Sequence, residues 1–407
     1  MKKLDGLYLS AREASAELAI TQATLYAYVS RGLIRSEPSS DSRSHRYRAE
    51  DVRALKERRI PAPEPKGLRS FDADLPVMDS AIATITEEGP IYRGVNCVDL
   101  AEKDTLEHTA TLLWDVTAID PFASDNCPYV SDEMRAIAEA ARRVAPIDRA
   151  IAVLALATSA DPGAFTRAPD GRAMVGARIL RLVVATMLNT VPSAEPLHLQ
   201  IARIWAGEHK HAADLIRRAL VLLADHELNA STFTVRCAAS TGLNLYDAVI
   251  AGLAALKGPK HGGAGVLASR LVKTLIDNDV APLIRERVAL GERFAGFGHG
   301  VYKRGDPRAM SLLDALARAG APRKFTREVP ERIAEATGEL VNIDYALAVL
   351  VHSLRLPVGS ELALFAMARM VGWIAHASEQ LQHGKLIRPR ARYVGPAPGR
   401  GAVSGGL

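Results

Sequence analysis

The sequence predicts an all-α, multi-helical body preceded by a small basic module. Three observations carry that reading. Apolar residues recur at helical spacing, as at Leu215, Ile216, Ala219, Leu220, Leu222 and Leu223, and again at Leu245, Val249, Ile250, Leu253 and Ala254. Strand-like alternation is scarce, and there is no βαβ rhythm, phosphate loop or G-x-G-x-x-G pattern. The stretch 60–67, IPAPEPKG, alternates prolines that stiffen the chain and exclude helix, so residues 61–67 read as a linker between domains.

The 407 residues suffice for two or three domains with a sizeable core. Hydrophobic residues make up 48% and charged residues 24%, an ordinary globular balance. No apolar run approaches the ~18 residues of a membrane helix. Lys2 and Lys3 are followed by a polar 10–17 stretch in place of a leader's apolar core. A membrane partner is therefore not expected, and the location expected is cytoplasmic. Cys97, Cys127 and Cys237 are isolated, with neither C-x-x-C nor metal-ligand spacing, which fits reduced thiols and no metal.

The formal net charge of +5 is uneven. Residues 1–60 hold twelve Lys or Arg against eight Asp or Glu, an excess of +4. Within them Ser10 can cap a helix over 11–18, with Glu13 at the capping-box position. Thr21 can cap a second helix that carries Leu25, Tyr28 and Val29 on one side and breaks at Gly32. The short connection makes a tight helix pair. The Ser-rich 36–44 stretch and His45-Arg46-Tyr47-Arg48 read as a basic β-wing before a third helix from about 49 to 58. The segments YLSAREASAELAITQATLYAYVSRGLI and SHRYRAEDVRAL resemble the winged helix-turn-helix of MerR-like and excisionase-like proteins. That resemblance implies a domain over 1–60 in which Gln22, Thr24 and Tyr28 face a major groove and Arg43, Arg46 and Arg48 approach phosphates. The same charges also suit a docking or dimer-support module whose basic residues are solvated, so DNA is one of two partners left open.

In the body, the polar residues that interrupt the helices fall mostly at helix ends. Asp225-His226-Glu227 closes a helix that begins near Ala212, and Asn229 and Ser231 are candidate caps for the next. Asn244 caps a helix over 245–257 that stops at Gly258-Pro259. His261 lies just past that stop, ahead of a helix over 264–276. The positive end of a helix dipole beside it would leave a neutral ring able to donate a hydrogen bond. In 296–300, GFGHG, glycines flank His299 and permit close approach of backbone to a ligand. Asp306-Pro307 opens a helix with Arg308 in its first turn, and Asn342-Ile343-Asp344-Tyr345 precedes an apolar helix over 346–354. On the helix over 361–381, Arg369, Gly372, Trp373 and His376 share one face. The chain ends in a basic extended run around Arg388. Two glycine-flanked histidines, an aspartate and several arginines suggest a pocket for a small polyanion with acid–base groups at hand. Composition and spacing stop there.

DHELNAST (225–232), LKGPKHGGA (256–264), GFGHGVYKRGDPRA (296–309), NIDYALAV (342–349), ARMVGWIAHASEQ (368–380) and RPRARYVG (388–395) closely resemble the ordered motifs of citrate synthases, and YRGVNCVDLAEKDTLEHTATLLW (92–114) looks like their N-terminal region. The similarity spans about 68–400. It implies a homodimer with a large domain (68–263 and 357–407) and a smaller CoA-side domain (264–356) that closes on it. It also implies condensation of acetyl-CoA with oxaloacetate and water, and no cofactor beyond acetyl-CoA as co-substrate. Asp344 would be the base at the acetyl methyl, His261 the donor to the thioester oxygen and His299 the donor to the ketone. His226, Arg308 and Arg369 would hold the oxaloacetate carboxylates, with Arg388 reaching across the dimer. Two positions depart from the pattern: Gly300 follows His299 where many bacterial members have Arg, and Gly265 stands where HGGAN members have Asn. The resemblance leaves open 2-methylcitrate synthesis from propionyl-CoA, and a helix-turn-helix regulator with a ligand-sensing synthase-like body. A pure sensor has no need of Asp344.

Overall fold

The computed structural model describes residues 8–18, 20–30, 32–38, 45–59 and 78–395. The chain divides into two compact units, Met1–Met78 and Asp79–Leu407. The proline-rich 61–67 stretch lies outside the described residues.

In the first unit, strands Tyr8–Ser10, His45–Arg48 and Ser36–Pro38 form an antiparallel sheet with His45–Arg48 in the middle, in the register Leu9 opposite Tyr47 and Glu37 opposite Arg46. Helices Ala11–Leu18, Gln22–Ser30 and Ala49–Arg59 complete the unit. The capping box expected at Ser10 is present: Glu13 N–H donates to Ser10 Oγ at 3.2 Å, and Ser10 N–H donates to Glu13 Oε2 at 2.8 Å. Thr21 caps the second helix through Thr24 N–H at 3.3 Å. Ala14, Leu18, Leu25, Ile34, Tyr47 and Val52 form a small core.

The second unit opens with a short meander that the sequence reading did not assign: strands Ala83–Thr86, Gly89–Tyr92 and Val95–Asn96. Among the described residues, the regular structure after it is helical apart from an isolated bridge. Pro169–Leu188 is buried around most of its circumference, Arg172 and Arg181 included. The 24-residue helix Ser360–His383 runs through the core against Leu106–Trp114, Pro169–Leu188, Ala212–Leu223, Ala230–Ala239 and Leu245–Leu256. No helix among the described residues is long and apolar enough to cross a membrane.

Two glycines fix how the site is assembled. Gly372 N–H donates to Ala224 O at 3.1 Å, and a Cβ at Gly372 would lie 2.2 Å from Asp225 Oδ1. Only glycine lets the turn carrying His226 press onto the long helix. Gly296 has φ +87°, and a Cβ there would sit 2.6 Å from Tyr345 Cβ. It lets the His299 loop lie on the helix that carries Asp344. A bridge between Phe297 and Val341, with Gly298 N–H donating to Leu340 O at 2.8 Å, holds those two segments together.

Candidate active site

His226, His261, Arg308 and Asp344 come from helix ends, His299 from a loop and Arg369 from the middle of the long helix. The turn after Ala212–Leu223 presents His226, whose Nε2 lies 2.9 Å from Tyr302 Oη. The His226 and His299 rings meet edge to face at 5.5 Å, and Tyr302 packs on His299 at 4.6 Å. The Arg308 guanidinium lies 5.4 Å from the centre of the Tyr302 ring. Arg369 lies over Phe365 at 4.7 Å, and Phe365 stands edge to face with His261 at 6.0 Å. The structure therefore gathers His226, His261, His299, Arg308 and Arg369 into one cluster. Asp344 joins them, since both arginines bear on its charge. Arg388 does not join: it is exposed in the extended segment after the last helix, and none of the site's hydrogen bonds or ion pairs described here involves it.

The histidines are held neutral. Burial first, then Arg369, pulls His261 down to about 4. The expected helix-end position is there, ahead of Gly263–Ile276, and burial and the Arg369 cation lower the ring at it. Burial, then Arg308, lowers His299, and burial with Arg308, Arg369 and His299 lowers His226 further. The tautomer of His299 is fixed: Val301 N–H donates to its Nδ1 at 3.0 Å, so the ring proton sits on Nε2. For His261 the deciding group is Ser231, whose Oγ lies 2.8 Å from Nε2. Ser231 Oγ accepts from Trp373 Nε1–H at 3.2 Å and has one proton to give, to Asn229 Oδ1 at 2.9 Å or to His261. When it goes to His261, the imidazole carries its own proton on Nδ1.

Asp344 lies in the first turn of Ile343–Ser353, not ahead of the helix as the sequence suggested, because Asn342 is the cap and accepts from Asp344 N–H at 3.0 Å. Burial raises its carboxyl from an ordinary 3.8 to about 6, against the opposing pull of Arg308 and Arg369. Asp306 does more than cap. Its Oδ1 accepts from Arg308 N–H at 3.1 Å and Nε at 3.0 Å, and its Oδ2 accepts from Arg308 Nη2 at 2.8 Å and Ile343 N–H at 3.0 Å. One buried carboxylate thus orients the arginine and the helix bearing Asp344. Arg369 donates from Nε to Leu223 O at 2.8 Å, and its burial brings it down to about 10.

Next to the turn that carries His226 lies a buried polar chain missed in the sequence. Glu379 pairs with Arg236, and Arg236 Nη1 donates to His376 Nδ1 at 3.2 Å. His376 Nε2 then faces Asp225 Oδ1 at 3.4 Å. Asp225 Oδ2 accepts from Glu227 N–H at 2.9 Å, which pins the turn holding His226. The one-face pattern of residues 369, 372, 373 and 376 was the available signal, since that face packs on 224–231. Tyr302 and Ser231 left no comparable signal beyond their neighbourhood in the motifs.

In the first unit, Gln22 is exposed and Thr24 is partly buried in the Thr21 cap. Tyr28 is partly buried and packs against the small core, and Tyr26 is exposed. Arg48 is engaged by Glu37 and Glu50, and Arg46 lies over the Tyr8 ring at 5.2 Å. Arg43 lies outside the described residues.

A helical body that brings neutral histidines, a raised carboxyl and two buried arginines together makes an acid–base site with fixed positive charge. The chain belongs to the citrate synthase family: residues 69–390 match the family described as citrate synthase, C-terminal domain. It is 40% identical over 191 residues to a citrate synthase of Haloferax volcanii, covering 45% of this chain and 50% of that one. It is 31% identical over 337 residues to 2-methylcitrate synthase 1 of Corynebacterium glutamicum, covering 75% of this chain and 88% of that one. The structure matches citrate synthase of Thermoplasma acidophilum, solved as a ternary complex with carboxymethyl coenzyme A and oxaloacetate, at TM-score 0.67 and 26% identity over 80% of this chain and 96% of that one. The chain thus spans half the length of the Haloferax relative it matches.

Proposed function

We propose that this protein condenses acetyl-CoA with oxaloacetate and water to give citrate and CoA. The observation that carries the proposal is the fixed tautomer of His299, a neutral ring with its proton on Nε2 beside two buried arginines. Such a ring polarises a ketone by donating a hydrogen bond and can pass that proton to the oxygen as charge develops there. Arg308, Arg369 and His226 hold the carboxylates of oxaloacetate, the arginines through planar forks that match carboxylate oxygens. Asp344, lifted to about 6, takes a proton from the acetyl methyl, while His261 donates from Nδ1 to the thioester oxygen where charge develops. The enol carbon bonds to the ketone carbon, His299 protonates the new alkoxide, and water hydrolyses the citryl thioester. Neither a metal nor a covalent nucleophile enters these steps.

Around this chemistry we assign a homodimer in which Arg388 completes the partner's site, and closure of 264–356 over the substrates to exclude water. A cytoplasmic setting suits the chemistry. The N-terminal unit, two helices on a short turn followed by a β-hairpin, supports a helix-turn-helix reading with duplex DNA as its partner. Its outward face carries Gln22 and Tyr26, and Arg46 faces the phosphates; a docking role is the alternative outcome. A second reading of the body, 2-methylcitrate synthesis from propionyl-CoA, is favoured by the Corynebacterium relative, whose similarity extends over 88% of its length. The test is oxaloacetate-dependent thiol release from acetyl-CoA by the purified full chain. Release with matching citrate is expected; ligand binding without turnover would make the body a sensor.

A further inference from the structure

Gly265 sits in the first turn of Gly263–Ile276 and is buried. Its φ is not among the positive values, so its backbone does not require glycine. A Cβ at this position would meet nothing closer than 3.7 Å, the distance to both Asp344 Oδ1 and Glu361 Cγ. Crowding does not require glycine either. Glycine within a helix is less stable than alanine, so neither conformation nor packing accounts for it here. What it does leave is a space of about methyl size, walled by the carboxylate of the proposed base and by the methylene stem of Glu361. Glu361 is itself 3% exposed, and burial raises its carboxyl.

The location fits a particular substituent. A base must come within about 3 Å of the carbon whose proton it takes. The next carbon of a longer acyl chain lies about 1.5 Å further on. It therefore falls within about 4 Å of the same carboxylate, which is where the absent Cβ of Gly265 leaves room.

We propose that the space beside Gly265 takes the terminal methyl of a propionyl thioester, and that Gly265 sets the acyl range of the site. The inference rests on the condensation reading above. In the step, Asp344 removes a C2 proton of propionyl-CoA, C2 bonds to the ketone carbon of oxaloacetate, and the ketone oxygen takes a proton from His299. Water then cleaves the C–S bond, releasing CoA and 2-methylcitrate. Filling the space with one carbon removes room for one carbon, and a methyl group is worth about 10- to 200-fold in such a pocket.

The experiment compares kcat/KM for acetyl-CoA and propionyl-CoA, each with oxaloacetate, in the full chain and in Gly265→Ala, with products identified by mass spectrometry. The wild type is expected to form both products, and Gly265→Ala to lower the propionyl-to-acetyl ratio at least tenfold. Gly265→Ser, whose side chain is polar, should move the ratio the same way, and circular dichroism verifies that both variants fold. A ratio unchanged within twofold in both variants, or a wild type that condenses acetyl-CoA but not propionyl-CoA, overturns the proposal. Turnover of neither thioester by the wild type would instead overturn the condensation reading beneath it.

Discussion

Replacing Asp344 with Asn should make the protein more stable and nearly inactive. A carboxyl raised from 3.8 to about 6 in the folded state is held there at a cost in folding free energy. The sign follows from linkage: the folded state binds the proton more tightly than the unfolded state, so ionising the group weakens folding. The penalty is full above pH 6 and fades as pH falls towards 4. The shift corresponds to about 3 kcal/mol. Asparagine keeps the shape and loses the charge. Its amide must still be partly desolvated, so the net gain at pH 8 should be about 1–3 kcal/mol, shrinking to well under 1 kcal/mol at pH 4. Asn342 caps the backbone at this turn, not the Asp344 side chain, so the local fold is retained. Turnover should fall about 10²–10⁴-fold, the usual worth of a positioned base, while oxaloacetate still binds through Arg308 and Arg369. Denaturant melts at pH 8 and pH 4, steady-state thiol release and oxaloacetate calorimetry measure the three quantities. A variant no more stable at pH 8 than wild type, or one with near wild-type turnover, refutes the reasoning.

Ser231→Ala removes the hydroxyl that can fix the His261 tautomer and leaves Trp373 Nε1 unpartnered; kcat with acetyl-CoA should fall about 10- to 100-fold with little change in oxaloacetate KM, and an unchanged kcat would remove Ser231 from the account. Arg388→Ala and Arg369→Ala subunits, each nearly inactive alone, should recover activity as mixed dimers with one restored site; verified heterodimers with none would count against a shared site. Deleting residues 1–66 should leave a folded, active synthase body, and an unfolded or inactive product would contradict that. If the first unit binds duplex DNA, retention should drop steeply with salt and Arg46→Ala should weaken it across sequences; absence of retention at low salt would favour docking.

The sequence made the helical body legible because its apolar spacing repeats over long stretches, and caps such as Ser10, Asn244 and Asp306 mark helix starts by local hydrogen bonding alone. The meander at 83–96 was not legible, since strands of two to four residues carry too little alternation to register. At the site, His261, His299, Arg308, Arg369 and Asp344 stood out by their neighbours and by motif. What tunes them did not. The Asp306 bond to the Ile343 N–H, the Ser231 contact to His261 and the path from Glu379 to Asp225 depend on residues brought together from distant parts of the chain. Asp225 and Gly372, for example, meet across nearly 150 residues only because the long helix packs on that turn. In the first unit, the helical spacing that groups Tyr28 with Leu25 and Val29 matches their shared packing against the small core.

The most direct test follows the carbon. With [2-¹³C]acetyl-CoA, oxaloacetate and the purified full chain, NMR should find the label in a methylene carbon of citrate, in amounts equal to the CoA released and only when oxaloacetate is present. Label remaining in acetyl-CoA, or appearing as free acetate, would contradict carbon–carbon bond formation at this site.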